Sequence, residues 1–211
     1  MGVIERRERE KENRINDILD AAEKVFFAKG KDKASMDDVA SAAELSKGAL
    51  YHYFKSKENL YFGLNYRALN ILEKMFKKAI ENKKKGFDRV KAIGEAYFNF
   101  YKQYPDYFSV MSYFEVNKID LDVNDPFMKR YHKKAKQTIK ILVSALMKGK
   151  FDRSISSNIK PLKSAIVLWG QMTGVLNIIA LKGERLEKDF NIKQEDIINH
   201  YSELMSKILA P

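Results

Sequence analysis

Ser35–Leu60, SMDDVASAAELSKGALYHYFKSKENL, decides the fold. Ser35 stands three residues before Asp38, the spacing of a capping box that opens a short helix. Met36, Val39, Ala40 and Ala43 recur at helical spacing behind it. Ser46 opens a second short run that ends near Phe54, with Leu45, Leu50 and Phe54 as apolar anchors. Small residues at Ala40, Ala43 and Ala49 permit close approach. Two short helices separated by Glu44, Leu45 and Ser46 have the arithmetic of a helix-turn-helix. In that motif the second helix enters the major groove and offers its N-terminal residues to base edges. The spacing alone also fits a small-helix connector whose aromatics are core.

The second helix is expected to expose Lys47, Gly48, Ala49, Tyr51, His52 and Tyr53. No acidic residue lies between Leu45 and Lys57, and Lys47, Lys55 and Lys57 give that stretch +3. Such a surface suits a phosphate-lined groove. Ser56 opens the following helix, whose free N–H groups together with Lys57 suit a phosphate.

Working outward, Ile15, Ile18, Leu19, Ala22, Val25 and Phe26 define one face of a preceding helix. Gly30, Gly86, Gly149 and Gly183 each follow a helix-like run, where a terminating glycine belongs. Pro105, Pro126 and Pro161 sit where helices begin, with Asp125 an N-cap for Pro126. A run from Ser56 extends toward Lys85. Later runs cover roughly 88–103, 106–117, 126–148, 160–182 and 194–209. The expected fold is all-α with about nine helices and no strand. Residues 1–60 form a DNA-binding domain, and residues 61–211 a larger helical one. Asn117–Asn124 and Lys150–Asn158 read as loops.

Composition narrows the classes. The chain has 211 residues, 45% of them hydrophobic and 12% aromatic, which excludes a mainly disordered chain. There is no Cys, so disulfides, thiolate nucleophiles and Cys-based metal sites are excluded. The opening MGVIERREREKENR has no apolar core of a signal peptide. Ser164–Leu181 is uncharged over eighteen residues, the lower edge of membrane-spanning length. Its Ser164, Gln171, Thr173 and Asn177 favour a buried helix of a soluble, cytoplasmic protein over a membrane span. The net charge of +11 points to a polyanionic partner. Yet residues 1–60 carry 12 Lys+Arg and 12 Asp+Glu, so the whole excess lies beyond them. Lys77-Lys78, Lys83–Lys85 and Lys129–Lys140 hold much of it, as solvated helix faces. Arg6, Arg7 and Arg9 are candidates for a minor-groove arm. The interspersed Glu5, Glu8, Glu10 and Glu12 favour a solvated helical extension.

Ser46–Leu60, SKGALYHYFKSKENL, closely resembles the signature of TetR-family transcriptional regulators. Ala21-Ala22, Val25–Phe27 and Gly30, and the spacing to Ser35-Met36 and Val39-Ala40, are similar to that family too. The resemblance covers roughly residues 13–62. Glu44 departs from it, because the family usually has Gly in the turn and Glu tolerates positive φ poorly. The resemblance implies that Lys47, Gly48, Ala49, His52 and Tyr53 meet bases or adjoining phosphates. It gives Tyr51 and Lys57 phosphates, and Ser35 a capping role. Gly48 and Ala49 carry no polar side chain, so close approach or a thymine methyl is what they can offer.

It further implies a homodimer through the last two helices around a palindromic operator in double-stranded DNA, and a small-molecule effector cavity. Ile197, Ile198, Tyr201, Leu204, Met205, Ile208 and Leu209 make an apolar stripe on the last helix, and Gly170 and Gly174 permit close helix approach. Candidate effector contacts are Phe98, Tyr101, Tyr107, Met111, Phe114, Tyr131, Trp169, Met172, Thr173 and Asn177. An aromatic-rich wall with few polar groups is the usual small-molecule site, although aromatics at helical spacing are also ordinary core. His52, His132 and His200 fall in three separate helices, and no HExxH, GxSxG or glycine-rich phosphate loop occurs. No catalytic residue, metal site or cofactor is therefore expected. The expected function is a repressor released by a largely apolar or aromatic ligand. The rival is an architectural DNA binder that answers to no ligand.

Overall fold

The computed structural model describes residues 2–117 and 126–211. Among them lie nine helices and no strand: α1 (Val3–Lys29), α2 (Met36–Ala42), α3 (Lys47–Tyr53), α4 (Lys57–Ile80), α5 (Gly86–Gln103), α6 (Pro105–Val116), α7 (Pro126–Phe151), α8 (Pro161–Phe190) and α9 (Gln194–Leu209). The all-α reading holds. Asp125, expected as the N-cap of α7, and the loop residues 118–124 lie outside the described residues.

Two compact units form, and each takes more than one stretch of chain. Unit 1 comprises Met1–Ala68 with Ser109–Lys129, and unit 2 comprises Leu69–Phe108 with Arg130–Pro211. The division falls inside α4, α6 and α7.

Unit 1 is held by the apolar face of the second half of α1. Ile18, Leu19, Ala22 and Phe26 are buried with Val39, Leu50, Phe54, Leu60 and Leu64. Phe26 meets Tyr61 edge-on at 5.2 Å, and Phe62 meets Phe114 at 5.1 Å. Arg67 ties α4 to α1 through Asp20 at 2.6 Å and Glu23 at 3.2 Å. Gly30 ends α1 at φ 78°, as its position predicts.

Unit 2 packs Leu72, Phe76, Ile93, Tyr97, Phe100, Leu146, Leu176 and Ile179. Glu73 is buried there, between Lys134 at 2.7 Å and Lys77 at 2.9 Å. Burial works to raise its pKa, but the two ammonium groups outweigh that and hold it below the ordinary carboxylate value. The start of α5 is capped from the α7–α8 turn, where Asp152 Oδ2 accepts from Gly86 N at 2.8 Å and Ser154 Oγ from Phe87 N at 3.0 Å.

Three expected helix ends change. Gly86 opens α5 instead of closing α4, and a Cβ there would run into the backbone of Gly149. Gly149 itself lies inside α7, against Ile155. Gly183 lies inside α8, which runs on to Phe190 and ends at Asn191 in the left-handed region, φ 53°. At Gly86 and Gly149 the glycines answer close helix approach, a long-range cause that local punctuation cannot reveal.

Candidate nucleic-acid interface

The α2–α3 segment is built from local hydrogen bonds. Ser35 Oγ accepts from Asp38 N at 3.1 Å, and Asp38 Oδ2 accepts from Ser35 N at 2.9 Å, closing the expected capping box. Lys29 at 2.7 Å, followed by Ser35, holds the exposed Asp38 carboxyl down at about 2. The turn after α2 completes a Schellman motif: Leu45 N donates to Ala40 O at 2.9 Å and Glu44 N to Ser41 O at 3.2 Å. Glu44 occupies the residue that this motif places in the left-handed region, at φ 53°. The turn therefore keeps its geometry without the usual glycine, at a strain of roughly 1 kcal/mol.

Ser46 Oγ accepts from Ala49 N at 3.2 Å and starts α3. Leu50 is fully buried and Phe54 nearly so, which turns the opposite face outward. Lys47, Gly48, Tyr51 and His52 are exposed, while Ala49 and Tyr53 are half-buried. A Cβ on Gly48 would meet nothing within 4 Å. The chain itself thus gives no packing reason for a glycine, which costs a helix about 1 kcal/mol relative to Ala.

Two lysines behave differently from expectation. Lys57 Nζ donates to the carbonyls of Lys31 at 2.9 Å, Ala34 at 3.1 Å and Asp32 at 3.4 Å. Its ammonium thus ties down the α1–α2 loop instead of standing free for a phosphate. Lys47 pairs with Asp37 of α2 at 2.9 Å, and that contact raises its pKa. The α3 sequence hides this carboxylate, because Asp37 lies ten residues upstream. Lys55 Nζ turns back to Tyr51 O at 3.2 Å. Ser56 Oγ accepts from Asn59 N at 3.1 Å and caps α4 as expected.

A second site lies in unit 2. A cavity of about 350 Å³ opens among α4, α5, α7, α8 and α9. Phe76, Phe98, Trp169 and Met172 form part of its apolar wall, with Asn199 and Ser202 among its polar groups. Trp169 stacks on Tyr97 at 4.9 Å. Of the ten expected effector contacts, Phe98, Trp169 and Met172 line this cavity. The other seven do not. Thr173 is buried, with its hydroxyl 3.0 Å from that of Tyr97. Tyr101 sits edge-on to Phe108, and burial raises its pKa. Tyr107 and Met111 are buried in the core. Phe114 belongs to the aromatic cluster of unit 1, near Tyr61, Phe62 and Tyr113. Tyr131 lies beside His132, and Asn177 is half-buried on α8.

The stripe on α9 is also divided. Ile198, Tyr201, Met205 and Leu209 face the cavity, whereas Leu204 and Ile208 are exposed. Tyr201 donates to Leu168 O at 3.3 Å, and burial pushes its phenol up to about 12.

A capped helix-turn-helix with an outward, acid-free α3 is the architecture of a DNA-binding protein. The family model for bacterial regulatory proteins of the tetR family matches residues 18–64. Residues 18–64 thus carry the N-terminal helix-turn-helix of TetR-type regulators. The HTH-type transcriptional activator FasR of Mycolicibacterium smegmatis is 33% identical over 90 residues, 43% of this chain and 41% of that protein. An HTH-type transcriptional repressor of Mycobacterium tuberculosis is 39% identical over 51 residues, 24% of this chain and 27% of its own length. The matched stretches thus span less than half of these curated relatives. The transcriptional regulator FadR of Bacillus subtilis, solved in complex with stearoyl-CoA, has a TM-score of 0.69 at 16% identity. That match covers 92% of this chain and 98% of that one, and shows a shared fold.

Proposed function

We propose that this protein is a cytoplasmic, homodimeric transcription regulator of the repressor kind. It binds a palindromic operator through α3 and leaves it when a small, largely apolar or aromatic molecule enters the unit 2 cavity. The α3 face carries this reading. Lys47, Tyr51 and His52 stand exposed beside a glycine for which the chain has no internal use, and Gly48 admits the close approach of a DNA edge. Ala49 and Tyr53 flank that face. In functional terms residues 1–60 read DNA, and residues 61–211 bind the effector and the second protomer.

Support for the dimer lies in α8. Leu162, Ile166, Val167, Ile178 and Leu181 are exposed, and Cβ atoms on Gly170 and Gly174 would meet nothing within 4 Å. These residues fall within one broad arc of α8, roughly 160° wide, and Leu204 and Ile208 of α9 are exposed as well. α8 holds an 18-residue window of mean hydropathy 1.6, long and apolar enough to cross a membrane. Its Ala165, Met172, Leu176 and Ile179 are buried in unit 2, and a second protomer accounts for the opposite face.

The effector needs a difference in affinity between two conformations, since tight binding to both shifts nothing. α4 is one uninterrupted helix that carries Phe76 at the cavity and Lys57 at its other end. A ligand that moves Phe76 therefore acts on a stiff element. The stearoyl-CoA of the Bacillus subtilis FadR structure makes acyl thioesters the first ligands to try.

Trp169, the sole Trp, lines the cavity and reports its occupancy. The test is a titration of acyl-CoA and aromatic ligands followed by Trp fluorescence, with operator affinity measured in parallel. The expected result is a fluorescence change and weaker operator binding at the same ligand concentration. A ligand that changes Trp169 but leaves DNA affinity intact overturns the effector role. Equal affinity for palindromic and random duplexes at one salt concentration favours the architectural DNA binder instead.

A further inference from the structure

The first three turns of α1 have no packed face. Every described side chain from Ile4 to Arg14 is exposed, whereas Ile18, Leu19 and Ala22 further along the same helix are buried. The exposed part is held by its own charges. Glu5 accepts from Gly2 N at 2.9 Å, and Arg6 pairs with Glu10 at 2.9 Å. It extends about 18 Å as a rigid continuation of the packed half.

Its five cations and four carboxylates nearly balance in number but not in direction. At about 100° per residue, Arg7, Lys11 and Arg14 fall within an arc of roughly 60°. Glu5, Glu8 and Glu12 cluster in another arc, turned away by roughly 120°. The basic arc is the one that meets α3. Arg7, Lys11 and Arg14 line a groove of about 430 Å³ together with Glu10, His52 and Tyr53. Glu10 is its one carboxylate, and Arg6 already partners it. The groove thus joins three cations from α1 to the last turn of the DNA-reading helix.

We propose that this groove holds the phosphodiester backbone of double-stranded DNA, so that the α1 extension prolongs the contact made by α3. Arg7, Lys11 and Arg14 take successive phosphates of one strand, with His52 and Tyr53 at the junction with the bases that α3 reads. Guanidinium and ammonium groups on a fixed helix face match a phosphate row without ordering a loose arm. The acidic arc faces outward and opposes binding of the extension in any other orientation. The inference rests on the DNA-binding reading of α3.

The test compares the full-length wild-type chain with the triple variant Arg7→Ala, Lys11→Ala, Arg14→Ala. A second variant, Glu5→Gln, Glu8→Gln, Glu12→Gln, changes the other arc. The probe is a 40-base-pair duplex from the DNA upstream of the protein's own gene, titrated at several salt concentrations. Circular dichroism checks that helix content is retained. The triple cation variant is expected to bind at least about tenfold more weakly at 0.15 M salt, with the salt slope reduced by about three. The glutamine variant is expected to keep the wild-type slope or steepen it. A folded cation variant with an unchanged slope overturns the groove while leaving the α3 reading intact. A wild-type chain that binds no duplex overturns both. Loss of poly-glutamate binding without loss of DNA binding assigns the groove to an acidic protein instead.

Discussion

The α2–α3 segment presents an outward face and unit 2 encloses a cavity, and the two are assembled differently. The first is a run of about twenty residues whose caps, turn and anchors lie within three to five positions of each other. The cavity draws on five helices, from Phe76 to Leu209. Local assembly leaves a spacing that can be read directly. Dispersed assembly leaves only aromatic residues at helical intervals, and those look the same whether they line a cavity or fill a core.

Leu50→Ala presses hardest on this contrast. Leu50 is fully buried beneath α3, so its loss should cost about 4 kcal/mol, measured as a shift in urea midpoint. DNA affinity should fall with it, because the outward residues depend on this anchor. If the comparison holds, ligand-induced changes in Trp169 fluorescence persist in the variant. Loss of the Trp169 response under folding conditions would show that the two sites do not form independently.

Lys134→Met tests unit 2 without touching its cavity lining. Glu73 would stay buried with Lys77 alone, at a cost of about 2 to 3 kcal/mol. The folded pKa of Glu73 is depressed, so its stabilising contribution is present above the ordinary carboxylate value near about 4.3. It is lost as pH falls through the depressed value. The stability gap between wild type and variant should therefore be full at neutral pH and close on acidification below that range. A gap independent of pH would assign the loss to packing of the Lys134 stem.

The reach of the sequence follows from the same distinction. Ser35–Asp38, Ser46 and Ser56 act as caps because cap chemistry spans three residues. Gly30 ends α1 for a similarly local reason. Gly86, Gly149 and Gly183 carry the same local signal, but Gly86 and Gly149 serve the close approach of α5 and α7, far apart in the chain, and Gly183 lies inside α8. Among the residues named for effector contact, Phe98, Trp169 and Met172 line the cavity. Tyr107 and Met111 were indistinguishable from them by spacing and are core. The inward half of α9 escaped because its stripe is broad enough for two faces. Only the packing of Ile198, Tyr201 and Met205 against α5 and α8 separates that half from Leu204 and Ile208. On α3, the pairing of Lys47 with Asp37 was invisible for the same reason of sequence distance.

Lys57 shows how a motif position and its geometry diverge. Resemblance gives it a phosphate, whereas three carbonyls at 2.9 to 3.4 Å occupy its ammonium. Lys57→Met should therefore lower stability by about 2 kcal/mol, since charged donors bound to carbonyls contribute at that level. The DNA salt slope, corrected for the folded fraction, should stay at the wild-type value. A slope smaller by about one would return Lys57 to the phosphate contacts. Lys47→Ala provides the contrast, because breaking an exposed pair with Asp37 has little effect on folding. It should weaken DNA binding and alter its preference among operator variants.

The smallest effect concerns Glu44. Its φ of 53° satisfies both hydrogen bonds of the Schellman turn, so the backbone there is already what a glycine would adopt. Glu44→Gly removes the side-chain strain but also frees the unfolded chain, and the two changes oppose one another. In the left-handed region the strain term is the larger, which gives a net gain of about 0.5 kcal/mol, read as a higher thermal midpoint. DNA affinity should stay unchanged, because the turn geometry is retained and Glu44 carries no contact assigned to the operator. An increase in affinity would show that its carboxylate repels the approaching phosphates, and would move the edge of the DNA surface from α3 into the turn.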